Sequence, residues 1–195
     1  MKVFLAAFAA FLIIVTSIFF YGYTIHKDLL QSREAAINSW SDLQGIFKKR
    51  TDIIPRFIEK TKGLSYINEV TLNTVVKAHR SVELVCTDLQ AHQIANYKQS
   101  NEFQKMQNNL SKAINQFWLE TENHPDFQPN IDLKTIKQEL AALNQDILKQ
   151  KKQFNETAAI YNKKVMGFPT AIVALMYGFE RCHAFGNENL DPAIP

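Results

Sequence analysis

The sequence predicts an all-α protein: an antiparallel up-and-down four-helix bundle of long helices behind one N-terminal transmembrane helix. Residues 3–25 carry no charged side chain, whereas charged and polar residues are frequent after them. Beyond that segment, apolar residues recur at helical spacing in four runs, and most of the six prolines lie in the breaks between runs. No comparable stretch alternates apolar and polar residues, so strands are not expected.

Residues 1–25 are predicted to be a transmembrane anchor. A helix needs about 20 apolar residues to cross a bilayer, and residues 3–21 provide them. Tyr21 and Tyr23 follow where an interfacial aromatic belt would lie. The alternative is a cleaved signal peptide, which would have an apolar core of about 7–15 residues followed by small residues. Here the apolar run ends in bulky residues, which favours an uncleaved anchor.

Basic residues lie on both sides of the anchor. Lys2 precedes it, and Lys27 and Arg33 follow it, so the positive-inside rule leaves the side of the soluble domain open. A single-pass protein of the cell (inner) membrane is therefore expected, in either orientation. The net charge of +3 comes without a dense basic stripe interleaved with aromatic residues, so nucleic acid is not an expected partner.

Residues 26–168 are predicted to form the four-helix bundle. The apolar spacing places its helices at about 26–62, 68–94, 99–122 and 131–166. The connections are only about 5–10 residues long, which forces neighbouring helices to be antiparallel. The same apolar stripes also permit a coiled-coil dimer, which stays open as an alternative.

Pro55 lies inside the first of these runs. The apolar register continues from Phe47 to Phe57, which favours one long helix kinked at Pro55 and allows it to be continuous with the anchor. The alternative is a turn near Thr51-Asp52, with Pro55 in the first turn of a new helix. In either case Gly63 is a suitable C-terminal stop.

Residues 169–195 form an apolar C-terminal segment and tail. The stretch 170–179 is too short to span a membrane, so it either caps the bundle or lies in the membrane interface. Its apolar residues have little periodicity, which favours burial against the bundle. Residues 187–195 are expected to fray.

Several short motifs together resemble the LemA family of bacterial membrane proteins, over about residues 21–185. The stretch Trp40–Gly63 reads WSDLQGIFKKRTDIIPRFIEKTKG. It contains the family's tryptophan, a basic pair, an Asp-hydrophobic-hydrophobic-Pro segment and a Lys-Gly. The C-terminal half adds a Tyr-Asn pair, a Phe-Pro pair and an apolar stretch ending Tyr-Gly-Phe, here Tyr161-Asn162, Phe168-Pro169 and Tyr177-Gly178-Phe179.

The resemblance implies an antiparallel four-helix bundle behind one N-terminal span, and no established enzymatic activity. A protein of the magnetosome membrane looks like a relative, which suggests a role in membrane organisation. Two features depart from the family pattern. Phe154 stands where tyrosine is common, and residues 180–183 replace a basic, proline-containing ending.

Histidine, cysteine and glutamate residues of the second helix are candidate metal ligands. His79, Glu83 and Cys86 lie on one face of the second helix, but no further ligand completes a four-coordinate zinc site. His79 and Cys86 also occupy apolar-stripe positions, which favours burial in the core. A di-metal bundle site needs two Glu-x-x-His motifs, and the chain has only one, at residues 180–183.

No other segment predicts catalysis. Cys182 and His183 are adjacent, but a Cys-His nucleophile needs a third group to orient the base. The cluster Lys48-Lys49-Arg50 is expected to be solvated, as charge clusters on long helices usually are. No catalytic, cofactor-binding or metal-binding residue is therefore predicted, and the protein is not expected to be an enzyme.

Two non-enzymatic roles are consistent with this organisation. The first is a membrane-anchored helical scaffold or adaptor that binds another envelope protein, of unknown identity, through the bundle. The second is a self-associating membrane-organising protein, which makes a homo-oligomer possible. A metal-binding protein using His79, Glu83 and Cys86 is the third and weakest hypothesis.

Overall fold

The computed structural model describes residues 2–88, 97–124 and 131–186. These residues form five helices, which we name α1 (Lys2–Thr61), α2 (Glu69–Asp88), α3 (Tyr97–Glu122), α4 (Ile131–Met166) and α5 (Thr170–Tyr177). The described residues contain no strand, so the predicted all-α fold is confirmed. The expected continuation of the second helix to residue 94 and the frayed tail at 187–195 lie outside the described residues.

Helix α1 is continuous for 60 residues and passes through Pro55 without a break. The candidate anchor and the first bundle helix are therefore one element, and the alternative of a turn near Thr51-Asp52 is wrong. The helix ends where expected, with Gly63 in the left-handed conformation (φ 81°) that glycine adopts without strain. Within the described residues, α1 is the helix that is long and apolar enough to cross a membrane, with a window of mean hydropathy 2.7 and no buried residue in it.

Helix α4 packs antiparallel along α1. At one end Lys164 Nζ lies 2.6 Å from Asp28 Oδ1, and at the other Lys60 Nζ lies 2.8 Å from Asp132 Oδ2. We call these the membrane-proximal and distal ends, because Asp28 follows the apolar segment of α1 by a few residues.

Helix α3 runs parallel to α1. The ring centroids of Phe47 and Phe103 are 5.2 Å apart, and those of Phe57 and Phe117, further along both helices, are 4.7 Å apart. Helix α2 pairs mainly with α3 and contacts α1 less extensively. Among the helices packed on α1, α4 is therefore antiparallel to it and α3 is parallel to it.

The core consists of two apolar clusters. The membrane-proximal cluster surrounds Trp40 and Phe154 and includes residues C-terminal to α5, while the distal cluster surrounds Phe57, Phe117 and Trp118. Each cluster buries large aromatic side chains, which contribute most of the apolar area removed from water in a bundle of this size. Arg50 lies in α1 between residues that belong to the two clusters.

Candidate functional site

The carbonyl of Thr51 has an unusual partner because of Pro55. In an α-helix the carbonyl of residue i accepts a hydrogen bond from the N–H of residue i+4, and proline has no N–H. Pro55 therefore leaves the buried Thr51 carbonyl without its helical donor. The ring of His79, on α2, fills this role, with Nε2 donating to the Thr51 oxygen at 3.1 Å. This bond joins α2 to α1 beside the proline.

This arrangement bears on the hypothesis that His79 binds metal. One ring nitrogen is already committed to the Thr51 carbonyl, and the other, Nδ1, lies 3.6 Å from Glu83 Oε2. The Cys86 side chain lies outside the described residues. Among the side chains that are described, no group of three or more His, Cys, Asp or Glu residues is placed to hold a metal ion. The hydrogen bond to the Thr51 carbonyl explains the position of His79 without a metal.

Arg50 is buried between the two apolar clusters, with only 1% of its surface exposed. Its guanidinium donates to Ser111 Oγ at 2.8 Å, to Asn144 Oδ1 at 3.3 Å and to the backbone oxygen of Gln107 at 3.2 Å. It also donates to the side-chain amide oxygen of Gln107. The planar fork of donors thus joins α1 to α3 and α4.

The expectation that Lys48-Lys49-Arg50 is a solvated cluster is therefore wrong for Arg50, although Lys48 and Lys49 are exposed. The seven-residue apolar spacing could have distinguished the buried Arg50 from the two exposed lysines. Arg50 lies seven residues after Leu43 and seven before Phe57, in register with the buried stripe. Because its side chain is charged, Arg50 was predicted to be exposed despite this spacing.

After α5 the chain turns at Gly178, whose φ of 69° lies in the left-handed region, and returns along the bundle. We call residues 178–186 the C-terminal strap. Every third residue, Phe179, Cys182 and Phe185, is buried in the membrane-proximal cluster. The Phe185 ring lies 5.2 Å from the Trp40 ring and 5.7 Å from the Phe154 ring. The strap therefore completes the core at this end.

Two asparagines on α4 hold the strap by its backbone. Asn162 donates to the Cys182 carbonyl and accepts from the Cys182 N–H, both at 2.8 Å. Asn155 makes the same pair of bonds with Phe185, at 3.1 and 2.8 Å. Seven helical residues rise by about 10.5 Å, which matches three residues of extended chain. Each amide thus pairs with the N–H and the carbonyl of one strap residue, as a neighbouring β-strand would do.

The chemistry of Cys182 does not suggest a nucleophile. Burial raises the pKa of its thiol to about 11, although the Arg33 guanidinium opposes the shift. The thiol is therefore neutral near pH 7, whereas a reactive cysteine needs thiolate character. The single Glu-x-x-His motif, residues 180–183, lies in the strap and not in a bundle helix, so it lacks the helical setting of a di-metal ligand pair.

Helix α5 contradicts the expectation that it is buried against the bundle. Within it only Ala174 is buried, and Val173 packs in part against the membrane-proximal cluster. The remaining large apolar side chains of the helix are exposed: Ile172, Leu175, Met176 and Tyr177. Low periodicity thus reflects a helix that is apolar on both its covered and its uncovered faces.

An open cleft of about 550 Å³ lies at the distal end. It is bordered by the α1–α2 turn, residues 65–68, and by the end of α3, including Leu119 and Glu120. A second groove, of about 350 Å³, continues between α2 and α3. Hydrogen bonds from the Thr71 hydroxyl and from Gln116 Nε2, the latter at 2.9 Å, fix the Glu120 carboxylate and lower its pKa.

The fold is that of an all-α protein with one N-terminal candidate membrane anchor and no metal-binding cluster among its described side chains. The model of the LemA family matches residues 39–194, which is most of the chain. The protein therefore belongs to the LemA family. This family is not known as an enzyme family, and membership is in keeping with membrane association. No curated protein matches the sequence.

Proposed function

We propose that the protein is a non-enzymatic, membrane-anchored helical adaptor of the cell (inner) membrane that binds another envelope protein at the distal cleft. The observation that carries this proposal is the exposed apolar surface around the cleft. Leu119, which lines the cleft, is 66% exposed, and Val70, two residues after the cleft-lining Asn68, is 75% exposed. Exposed apolar side chains with a polar border are typical of protein-binding surfaces.

The position of the cleft favours a protein partner over lipid. Because α1 is continuous, the distal end is held away from the membrane by the helical rise of residues 26–61, roughly 50 Å at 1.5 Å per residue. The bilayer does not reach that end when the bundle stands upright on its anchor. A partner that projects from the same membrane or lies in the adjoining compartment can reach it.

The side chains of the cleft define the chemistry of the partner. Leu119 offers apolar contact, and the amides of Asn68 and Asn123 supply donors and acceptors at the border. Glu120 remains ionised because its hydrogen bonds lower its pKa. We therefore expect a partner segment that combines an apolar anchor with a basic side chain.

Photo-crosslinking tests this proposal in the native membrane. A photoreactive amino acid replaces Leu119, and the matched control replaces Leu148, an exposed leucine on α4 at mid-bundle. We expect one recurrent foreign protein at position 119, absent at position 148 and lost when Glu120→Lys reverses the charge of the cleft. Crosslinks shared by both positions, or unaffected by Glu120→Lys, would refute a specific site.

The exposed side chains of α5 favour a second candidate function, that of a self-associating membrane-organising protein. A second copy could cover the surface formed by Leu175 and Met176. This role predicts self-crosslinks from α5 and none to a foreign protein from the distal cleft. A third photoreactive probe, in place of Leu175 on α5, therefore lets the crosslinking experiment separate the two functions.

A further inference from the structure

Both ends of α5 are fixed at the membrane-proximal end of the bundle. The preceding helix, α4, finishes just after Lys164, which pairs with Asp28 at 2.6 Å. At its other end, the ring centroid of Tyr177 lies 4.2 Å from that of His26. The eight residues of α5 thus leave and rejoin the bundle at the level of residues 26–28 of α1.

That level coincides with the surface of the bilayer. The uncharged segment of α1 extends to Ile25, and Tyr23 is its last aromatic residue. His26 lies three residues beyond Tyr23, a rise of about 4.5 Å. Headgroup and interfacial regions add about 5–8 Å on each side of the hydrocarbon core. The Tyr177–His26 contact therefore falls within the headgroup layer.

The surface that α5 presents there is apolar throughout. Residues 165–179 include no charged side chain. Phe168, in the turn before α5, is 86% exposed, Leu175 is 85% exposed and Met176 is 75% exposed. The opposite side of the helix, at Val173 and Ala174, packs on the membrane-proximal cluster. The bundle thus satisfies one side of α5 and leaves a bulky apolar side uncovered.

Basic residues border this surface. Lys27, Lys163 and Arg181 are all exposed, and Arg181 lies beside the turn, with a guanidinium nitrogen 3.4 Å from Met166 Sδ. Two exposed acidic residues, Glu180 and Asp28, lie next to them. An apolar helix flanked by cations at headgroup depth suits a leaflet that contains anionic lipid.

We propose that α5 and the turn before it form an interfacial membrane helix, with Phe168, Leu175 and Met176 inserted into the leaflet from which α1 emerges. The bundle then contacts the membrane at two places, the span and α5, and this restricts its tilt and rotation about α1. The inference concerns the end of the bundle opposite the distal cleft and does not depend on the adaptor role.

Lipid-depth quenching tests this inference on the full chain. An environment-sensitive fluorescent amino acid replaces Met176, and the matched control replaces Leu119, an exposed apolar residue at the distal end. Each protein is reconstituted at one molecule per nanodisc of phosphatidylcholine and phosphatidylglycerol, with and without brominated acyl chains. Aqueous iodide is then applied to each sample.

Insertion predicts that brominated lipid removes most of the emission at position 176 and none at position 119, whereas iodide acts only at position 119. Iodide quenching at both positions would place α5 in water and overturn the inference. Protection of position 176 from both quenchers would mean that protein covers the helix, which overturns it as well. Iodide quenching at position 119 in every disc confirms that the reconstituted chain is accessible to the quencher, and far-UV circular dichroism of the same discs confirms that it is helical.

Discussion

The His79 ring donates to the Thr51 carbonyl in place of the N–H that Pro55 lacks. The stability of the protein should therefore depend jointly on positions 55 and 79, and this coupling can be measured. Replacing His79 by Leu keeps a side chain of similar size that can pack in the core, but it removes the Nε2 donor. The Thr51 carbonyl is then buried without its partner, which costs about 1–3 kcal/mol. Replacement by Gln retains an amide donor and should recover part of that loss.

The second perturbation restores the missing donor. Pro55→Ala supplies a backbone N–H that bonds to the Thr51 carbonyl within α1. In that background His79→Leu no longer leaves the carbonyl without a donor, so its cost should fall. We expect a coupling free energy of about 1–2 kcal/mol between the two positions, within the range for residues that share a hydrogen-bond network.

Denaturant unfolding of the full chain in detergent measures this coupling. The buried Trp40 and Trp118 report on the two core clusters by fluorescence. A cost of His79→Leu that is the same with Pro55 and with Ala at that position would refute the reasoning. So would an equal cost for His79→Gln and His79→Leu.

Three further perturbations test the membrane-proximal core and the buried arginine. Arg50→Lys should destabilise the protein by about 2 kcal/mol because lysine cannot reproduce the planar fork, whereas Lys49→Ala should change stability by less than about 0.5 kcal/mol; equal unfolding midpoints would contradict this. Asn162→Leu should speed amide exchange at Cys182 by about tenfold or more, while unchanged exchange would show that the Asn162 side chain does not stabilise the strap. Burial raises the pKa of Cys182 from 9.0 to about 11 and that of Tyr161 from 10.0 to about 12. Both pKa values are higher in the folded state. The contribution of these two groups to the free energy of unfolding is therefore fully present below about pH 9 and is lost as the pH rises to about 12. Cys182→Ala should flatten the lower part of that alkaline transition, as followed by unfolding midpoints at each pH.

The helices could be predicted from the sequence because their signals are local. Apolar spacing, a long uncharged segment and glycine or proline at the breaks act within a few residues of one another. The continuity of α1 through Pro55 was one of two alternatives, and the unbroken register from Phe47 to Phe57 indicated the correct one.

The candidate site was less accessible to sequence reasoning because its partners are distant along the chain. His79 bonds to a carbonyl 28 residues away. The sequence favoured burial of His79 in the core over a metal-binding role, but it did not indicate this partner. Arg50 bonds to residues of α3 and α4. Its charge suggested solvent exposure, although its register matched the buried stripe. Asn162 belongs to the Tyr161-Asn162 pair of the family pattern, but neither its role nor that of Asn155 could be predicted, because both depend on where the strap returns.

The sequence alone was sufficient for the candidate anchor, the all-α class and the membership of the LemA family, because each follows from the order and spacing of side chains along the chain. The tertiary structure decided which side chains lie in the core, which hydrogen bonds replace the one lost at Pro55, and which face of α5 is uncovered. Burial depends on what packs against a residue from elsewhere in the chain. A short helix that is apolar on every side carries no periodicity from which its exposed face can be deduced.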